Sequence, residues 1–92
     1  MTLLHVLTME DWARLQTDGT WAPAPFWHLC TPAQLPFVLT QHFTGRTGLV
    51  ALHLDPARLD DVRWEVGEPG MEPFPHLYGP LCAKAVTGVE PC

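Results

Sequence analysis

Apolar and polar positions alternate along this chain in short blocks, and the length of each block sets the element it forms. Leu3-Leu4-His5-Val6-Leu7 is an apolar run closed by Thr8, which predicts a buried strand. Thr8 also reads as a helix N-cap, with Glu10 and Asp11 in the positive first turn and Asp18-Gly19 as a stop. A helix is therefore expected over about Met9 to Thr17. Thr20-Trp21-Ala22 reads as a short strand before a proline bend at Pro23-Ala24-Pro25. Phe26 to Cys30 is expected as a central strand, with Phe26, His28 and Cys30 on one face and Trp27 and Leu29 on the other.

Thr31-Pro32 joins a capping hydroxyl to a proline at the first helical position. Leu35, Val38, Leu39, His42 and Phe43 then recur at helical spacing until Gly45. Pro36 sets off Pro32 to Leu35 as a separate turn before the helix proper. Leu49 to Leu54 is the third apolar strand, and Asp55 to Leu59 a helical turn. From Asp61 to Val66, Val62, Trp64 and Val66 alternate against Arg63 and Glu65, a half-exposed strand with its tryptophan on the core face. Gly67 to Pro73 is loop. In Phe74-Pro75-His76-Leu77-Tyr78-Gly79-Pro80-Leu81, the prolines and the glycine argue against a long helix or an ordinary central strand. Ala85 to Val89 is the last strand. Two helices near the front, five or six short strands and connections too short for regular βαβ units after residue 45 predict an α+β fold with a small mixed or mostly antiparallel sheet.

Composition narrows the functional classes. With 92 residues, 47% of them apolar and 16% charged, the chain reads as a single domain over residues 1–92 with one core, and disorder is excluded. A net charge of −5 with five basic residues excludes nonspecific binding to nucleic acid. A small anionic ligand needs only one or two local cations, and Arg46, Arg58, Arg63 and Lys84 are the candidates. Three cysteines without a CxxC pair do not make a disulfide framework, so a reducing cytoplasm is expected. No cationic leader opens the sequence, and no apolar run nears the roughly 20 residues that span a bilayer, so no membrane partner is expected.

The motifs G-x-S-x-G, GxGxxG, the P-loop and H-E-x-x-H do not occur, and only His42-Phe43-Thr44 matches the H-x-[ST] pattern that a two-histidine phosphoesterase needs twice. What stands out is histidine. His5 and His28 lie inside apolar strands, where an imidazole must find hydrogen-bond partners, and His76 is framed by prolines. These three are the candidate catalytic residues, gathered into one pocket; histidine exchanges protons near neutral pH more readily than other side chains. Tyr78 offers a hydroxyl donor or a stacking ring, Gly79 a turn with positive φ or a close ligand approach, and Thr8, Cys30 and Thr31 complete the ligand-binding set. His28-Leu29-Cys30 with His5 or His76 is a lesser alternative, a zinc or copper site. No carboxylate is evidently near these groups, and no metal is expected. His42 and His53 are given no role.

Taken together, these blocks resemble a known bacterial family, domain of unknown function 952. The resemblance rests on Leu4-His5-Val6-Leu7-Thr8 with Trp12, Phe26-Trp27-His28-Leu29-Cys30-Thr31, Leu54-Asp55-Pro56-Ala57-Arg58-Leu59, Val62-Arg63-Trp64-Glu65 and the proline-framed segment ending at Leu81. It implies a distant kinship with the ADP-ribosyltransferase superfamily, which includes the tRNA 2′-phosphotransferases. The implied fold is a split pair of small sheets with a nicotinamide dinucleotide pocket between them. In that frame His5 contacts the dinucleotide ribose, His28 lies near the nicotinamide stacking site and His76 falls in the third motif. No glutamate stands at an evident catalytic position there, so His76 takes that role. The expected function is binding or processing of NAD or ADP-ribose-type nucleotides; a noncatalytic ligand-binding or interaction domain with structural histidines is the alternative.

Overall fold

The computed structural model describes residues 1–22 and 25–92. The elements run β1 (Leu3–Thr8), α1 (Met9–Asp18), β2 (Thr20–Trp21), β3 (Trp27–His28), α2 (Leu35–His42), β4 (Leu49–Leu54), β5 (Val62–Glu65), β6 (Phe74–Leu77), β7 (Leu81–Cys82) and β8 (Val86–Pro91). Single turns of 3-10 helix precede α2 at Pro32–Gln34, follow β4 at Pro56–Arg58 and precede β8 at Ala83–Ala85. Of the expected proline bend, Pro23 and Ala24 lie outside the described residues.

The fold is α+β, with two helices and strands that all pair antiparallel. Strand order is β1-β4-β8 in the first sheet and β3-β6-β5 in the second, with β2-β7 as a small separate pair. The two larger sheets are stitched by consecutive residues. Leu29 N–H donates to the Pro75 carbonyl of the second sheet (3.0 Å), while Cys30 exchanges two bonds with Leu4 of the first (2.7 and 2.9 Å).

Both faces of β4 are covered over most of its length, which is why its sequence is apolar apart from His53. Val50, Leu52 and Leu54 join Leu3, Leu7, Leu15, Leu29, Leu77 and Leu81 in the main core. On the opposite side Leu49 and Ala51, with Val6, meet Leu35, Leu39 and Phe43 from α2 and the residue after it. Capping fixes where α1 and the 3-10 turn before α2 start. The Thr8 hydroxyl accepts from Asp11 N–H (3.0 Å), and Thr31 forms a reciprocal capping box with Gln34. Gln34, itself buried, donates onward to the Pro73 carbonyl (3.1 Å) and so pins the end of the β5–β6 loop to the start of α2.

Several sequence expectations are corrected. Phe26 to Cys30 is not a central strand: only Trp27 and His28 pair in the second sheet, at its edge. The central strand is β6, with Pro75 inside it. In an antiparallel ladder a residue's N–H and C=O point to the same neighbour. The Pro75 carbonyl points to Leu29, so its missing N–H faces the ragged end of two-residue β3 and leaves the β5 ladder intact. Trp64 is not a core residue. Val62 packs on the core opposite Leu77, but Trp64 reaches past it and is 47% exposed, and Val66 is 53% exposed. Gly79 has no positive φ. What it allows is close packing on Asp60 of the same chain: a Cβ there would lie 3.0 Å from the Asp60 Cβ and 3.2 Å from the Asp60 carbonyl oxygen.

Candidate functional site

A cavity of about 740 Å³ lies between the two sheets and α2. Successive residues of edge strand β1 (Leu4, His5, Val6) form one side, Phe26 and His28 to Cys30 the next, and α2 a third. Glu65, the loop after β5 and the β6 residues Phe74 and His76 close it. That volume falls in the range of small-molecule sites. His5, His28 and His76 all line it.

Each imidazole is positioned differently. Nδ1–H of half-buried His5 donates to the His28 carbonyl at 2.8 Å, tying β1 to β3, and the ring meets Trp27 edge-on. Because a carbonyl only accepts, this bond fixes the tautomer and leaves Nε2 as the acceptor. Burial holds the His5 pKa below its usual 6.5. His28 is register partner to His76, and their rings stand edge to face at 5.3 Å. Burial and then the neighbouring His76 and His42 lower the His28 pKa as well.

His76 leads to the residue that sequence reasoning missed. Its Nδ1–H donates to Glu65 Oε1 at 2.8 Å, and the Tyr78 hydroxyl donates to the same oxygen at 2.6 Å. The Tyr78 bond first and the His76 bond second hold the Glu65 carboxyl below its ordinary range, while the carboxylate raises the Tyr78 pKa. Glu65 Oε2 has no hydrogen-bond partner among the described residues. A ring stack surrounds this triad. Phe26 lies 4.2 Å from the His76 ring and 5.2 Å from that of Tyr78, and the Arg63 guanidinium, chelated by Asp61, lies over the Tyr78 ring, 4.1 Å from its centre. The signal for Glu65 was period-2 alternation. Arg63 pairs with His76 and Glu65 with Phe74, so the polar face of β5 is the cavity face of the hairpin.

The remaining candidates separate. Cys30 lines the cavity, but it is buried and burial pushes its thiol up to about 11, so it carries no thiolate at neutral pH. Tyr78 reaches the cavity through Glu65. Thr8 and Thr31 do not line the cavity, and their hydroxyls are committed to helix capping. Among the described residues, no three His, Cys, Asp or Glu side chains are spaced to hold a metal ion. His53 is not in the cavity lining and pairs with Glu90 at 3.2 Å on the first sheet.

Comparison with known proteins adds a family. A family model described as "Protein of unknown function (DUF952)" matches residues 6–89. The chain belongs to the DUF952 family. The DUF952 chain is also similar to CC0527 from Caulobacter crescentus. The crystal structure of CC0527 is 28% identical with a TM-score of 0.86, covering 99% of this chain and 85% of that one. Its solution NMR structure is 28% identical with a TM-score of 0.81, covering 98% and 83%. No curated protein matches. The CC0527 likeness carries the α+β architecture across the whole DUF952 chain; no helix among the described residues is long and apolar enough to cross a membrane.

Proposed function

We propose that this protein binds a ribonucleotide of the NAD or ADP-ribose type in the cavity between its sheets, with a ribose against Glu65, His76 and His5. The observation that carries this reading is the Glu65 carboxylate on the cavity wall, oriented by Tyr78 and His76 through one oxygen and left with the other for a ligand. A carboxylate accepts from a pair of sugar hydroxyls, and the Nε2 acceptor of His5 adds a further polar anchor. Phe26, Phe37 and Phe74 supply apolar wall for a planar ring. An ADP-ribosyltransferase-like fold would hold its nucleotide between two small sheets, and a cavity between sheets supports the reading by analogy.

Turnover in such a site is cleavage of the N-glycosidic bond to nicotinamide. The bonding electrons leave with the ring, positive charge develops on the ribose, and an oxygen nucleophile bonds to the ribose carbon while its proton passes to an imidazole. Glu65 stabilises the developing charge, and the Nε2 of His76 or His5 receives the proton. A noncatalytic domain is the second reading. It is favoured by the fact that His5 and His76 each spend a ring nitrogen holding neighbouring strands together.

Calorimetric titration of the wild type and Glu65→Gln with NAD and ADP-ribose tests the proposal. Saturable binding by the wild type, weakened about tenfold or more in Glu65→Gln, is expected. Absence of binding by the wild type, together with a large loss of melting temperature in His76→Ala, would leave the structural reading standing instead.

A further inference from the structure

Of the five basic residues in the chain, Arg46 is the one that lines the cavity. The other arginines are engaged elsewhere. Arg58 bonds Asp55 and the Lys84 carbonyl, Arg63 chelates Asp61, and Arg14 lies over Trp21. The Arg46 guanidinium rests 5.2 Å from the centre of the Phe43 ring, and it has no hydrogen-bond or ion-pair partner among the described residues. Stacking on Phe43 restricts the guanidinium plane and leaves its fork of N–H donors free. His42 lines the same cavity four positions earlier.

The charges of the lining are segregated. Its carboxylates, Glu65, Glu68 and Glu72, come from β5 and the segment between β5 and β6. That side meets the first half of α2, where the Phe37 ring lies tilted at 5.9 Å from that of Phe74, the register partner of Glu65. Arg46 follows the opposite end of α2. Two of the last four carbonyls of α2 have partners, Leu39 accepting from Phe43 N–H (3.1 Å) and Thr40 from the Thr44 hydroxyl, and beyond the helix Phe43 accepts from Arg46 N–H (3.0 Å). An anion is thus repelled from the Glu65 end and meets unpaired donors at the Arg46 end.

We propose that Arg46, with His42 in the same cavity lining, is the phosphate subsite of the cavity, so that the ligand lies with its ribose at Glu65 and a phosphate at the end of α2. This deepens the nucleotide reading and rests on it. A guanidinium binds phosphate through two parallel N–H bonds, a geometry that neither glutamine nor lysine reproduces.

The test is calorimetric titration of the wild type and Arg46→Gln with a matched pair, ADP-ribose and phosphate-free adenosine, at two salt concentrations. Arg46→Gln is expected to weaken ADP-ribose by about tenfold or more, to leave adenosine unchanged, and to flatten the salt dependence of ADP-ribose binding. Wild-type binding of ADP-ribose that Arg46→Gln leaves intact would overturn the subsite while the nucleotide reading stands. Equal weakening of both ligands would also overturn it. Failure of the wild type to bind either ligand would sink the nucleotide reading, and the subsite with it.

Discussion

The orientation of β5 decides whether Glu65 faces the cavity or solvent, and a pair of truncations reads it out. Leu77 is fully buried in central strand β6, opposite Val62 on one side and Trp27 on the other. Leu77→Ala removes side-chain atoms that the surrounding core cannot replace, and a loss of about 3–4 kcal/mol is expected. Trp64 lies two residues along from Val62 on the same face, beside Pro75 on an edge strand, and is 47% exposed. A fully buried tryptophan costs about 3–5 kcal/mol on truncation, and roughly half of that is retained here, about 2 kcal/mol or less. Urea unfolding monitored by far-UV circular dichroism, with m held constant between variants, gives both numbers. A Trp64→Ala variant that loses as much stability as Leu77→Ala would refute the strand orientation, and with it the placement of Glu65.

Three further outcomes follow from the same geometry. Gly79→Ala should lose about 1–3 kcal/mol in the same unfolding assay, because the new methyl meets the Asp60 backbone; a neutral substitution would contradict that contact. The folded-state pKa values of His5 and His28 lie below 6.5, so between those values and 6.5 the unfolded chain binds more protons. Their contribution to stability is therefore complete above pH 6.5 and declines as pH falls below it, for His5 at a limiting slope of about 1.4 kcal/mol per pH unit. Urea midpoints at pH 7.5 and 5.5 should differ less in His5→Asn than in the wild type, and an equal difference would contradict this. Alkylation followed by mass spectrometry should label exposed Cys92 first and buried Cys30 last, and rapid labelling of Cys30 in the folded protein would contradict its burial.

Local pattern carried much of the fold. The apolar run of β4, the Thr8 and Thr31 caps and the turn set off by Pro36 are all determined within a few residues, and they were legible in the sequence. Partnership between strands was not. Pro75 argues against a central strand only until its carbonyl is seen to point at two-residue β3, where the absent N–H has little ladder to break. Trp64 continues a perfect alternation, but the core ends at Val62 and periodicity cannot say where a core ends. The same limit hid Glu65. Arg63 and Glu65 mark the polar face of β5, which sequence reads as solvent, and only the register with His76 and Phe74 makes it a cavity wall. The histidines were legible because an imidazole inside an apolar run requires a partner. Their common cavity depends on the Leu4–Cys30 bridge between sheets, a contact of two residues far apart in the chain.

The central claim is that Glu65, His76 and His5 hold a ribonucleotide between the two sheets. The most direct measurement is an NMR titration of the isotopically labelled protein with NAD, ADP-ribose and related nucleotides, following backbone amides and histidine ring resonances together. Saturable shifts confined to Leu4 to Val6, Phe26 to Cys30, Glu65, His76 and the segment from His42 to Arg46 are the predicted result. Shifts absent across the whole panel, or confined to the His53–Glu90 face of the first sheet, would contradict it.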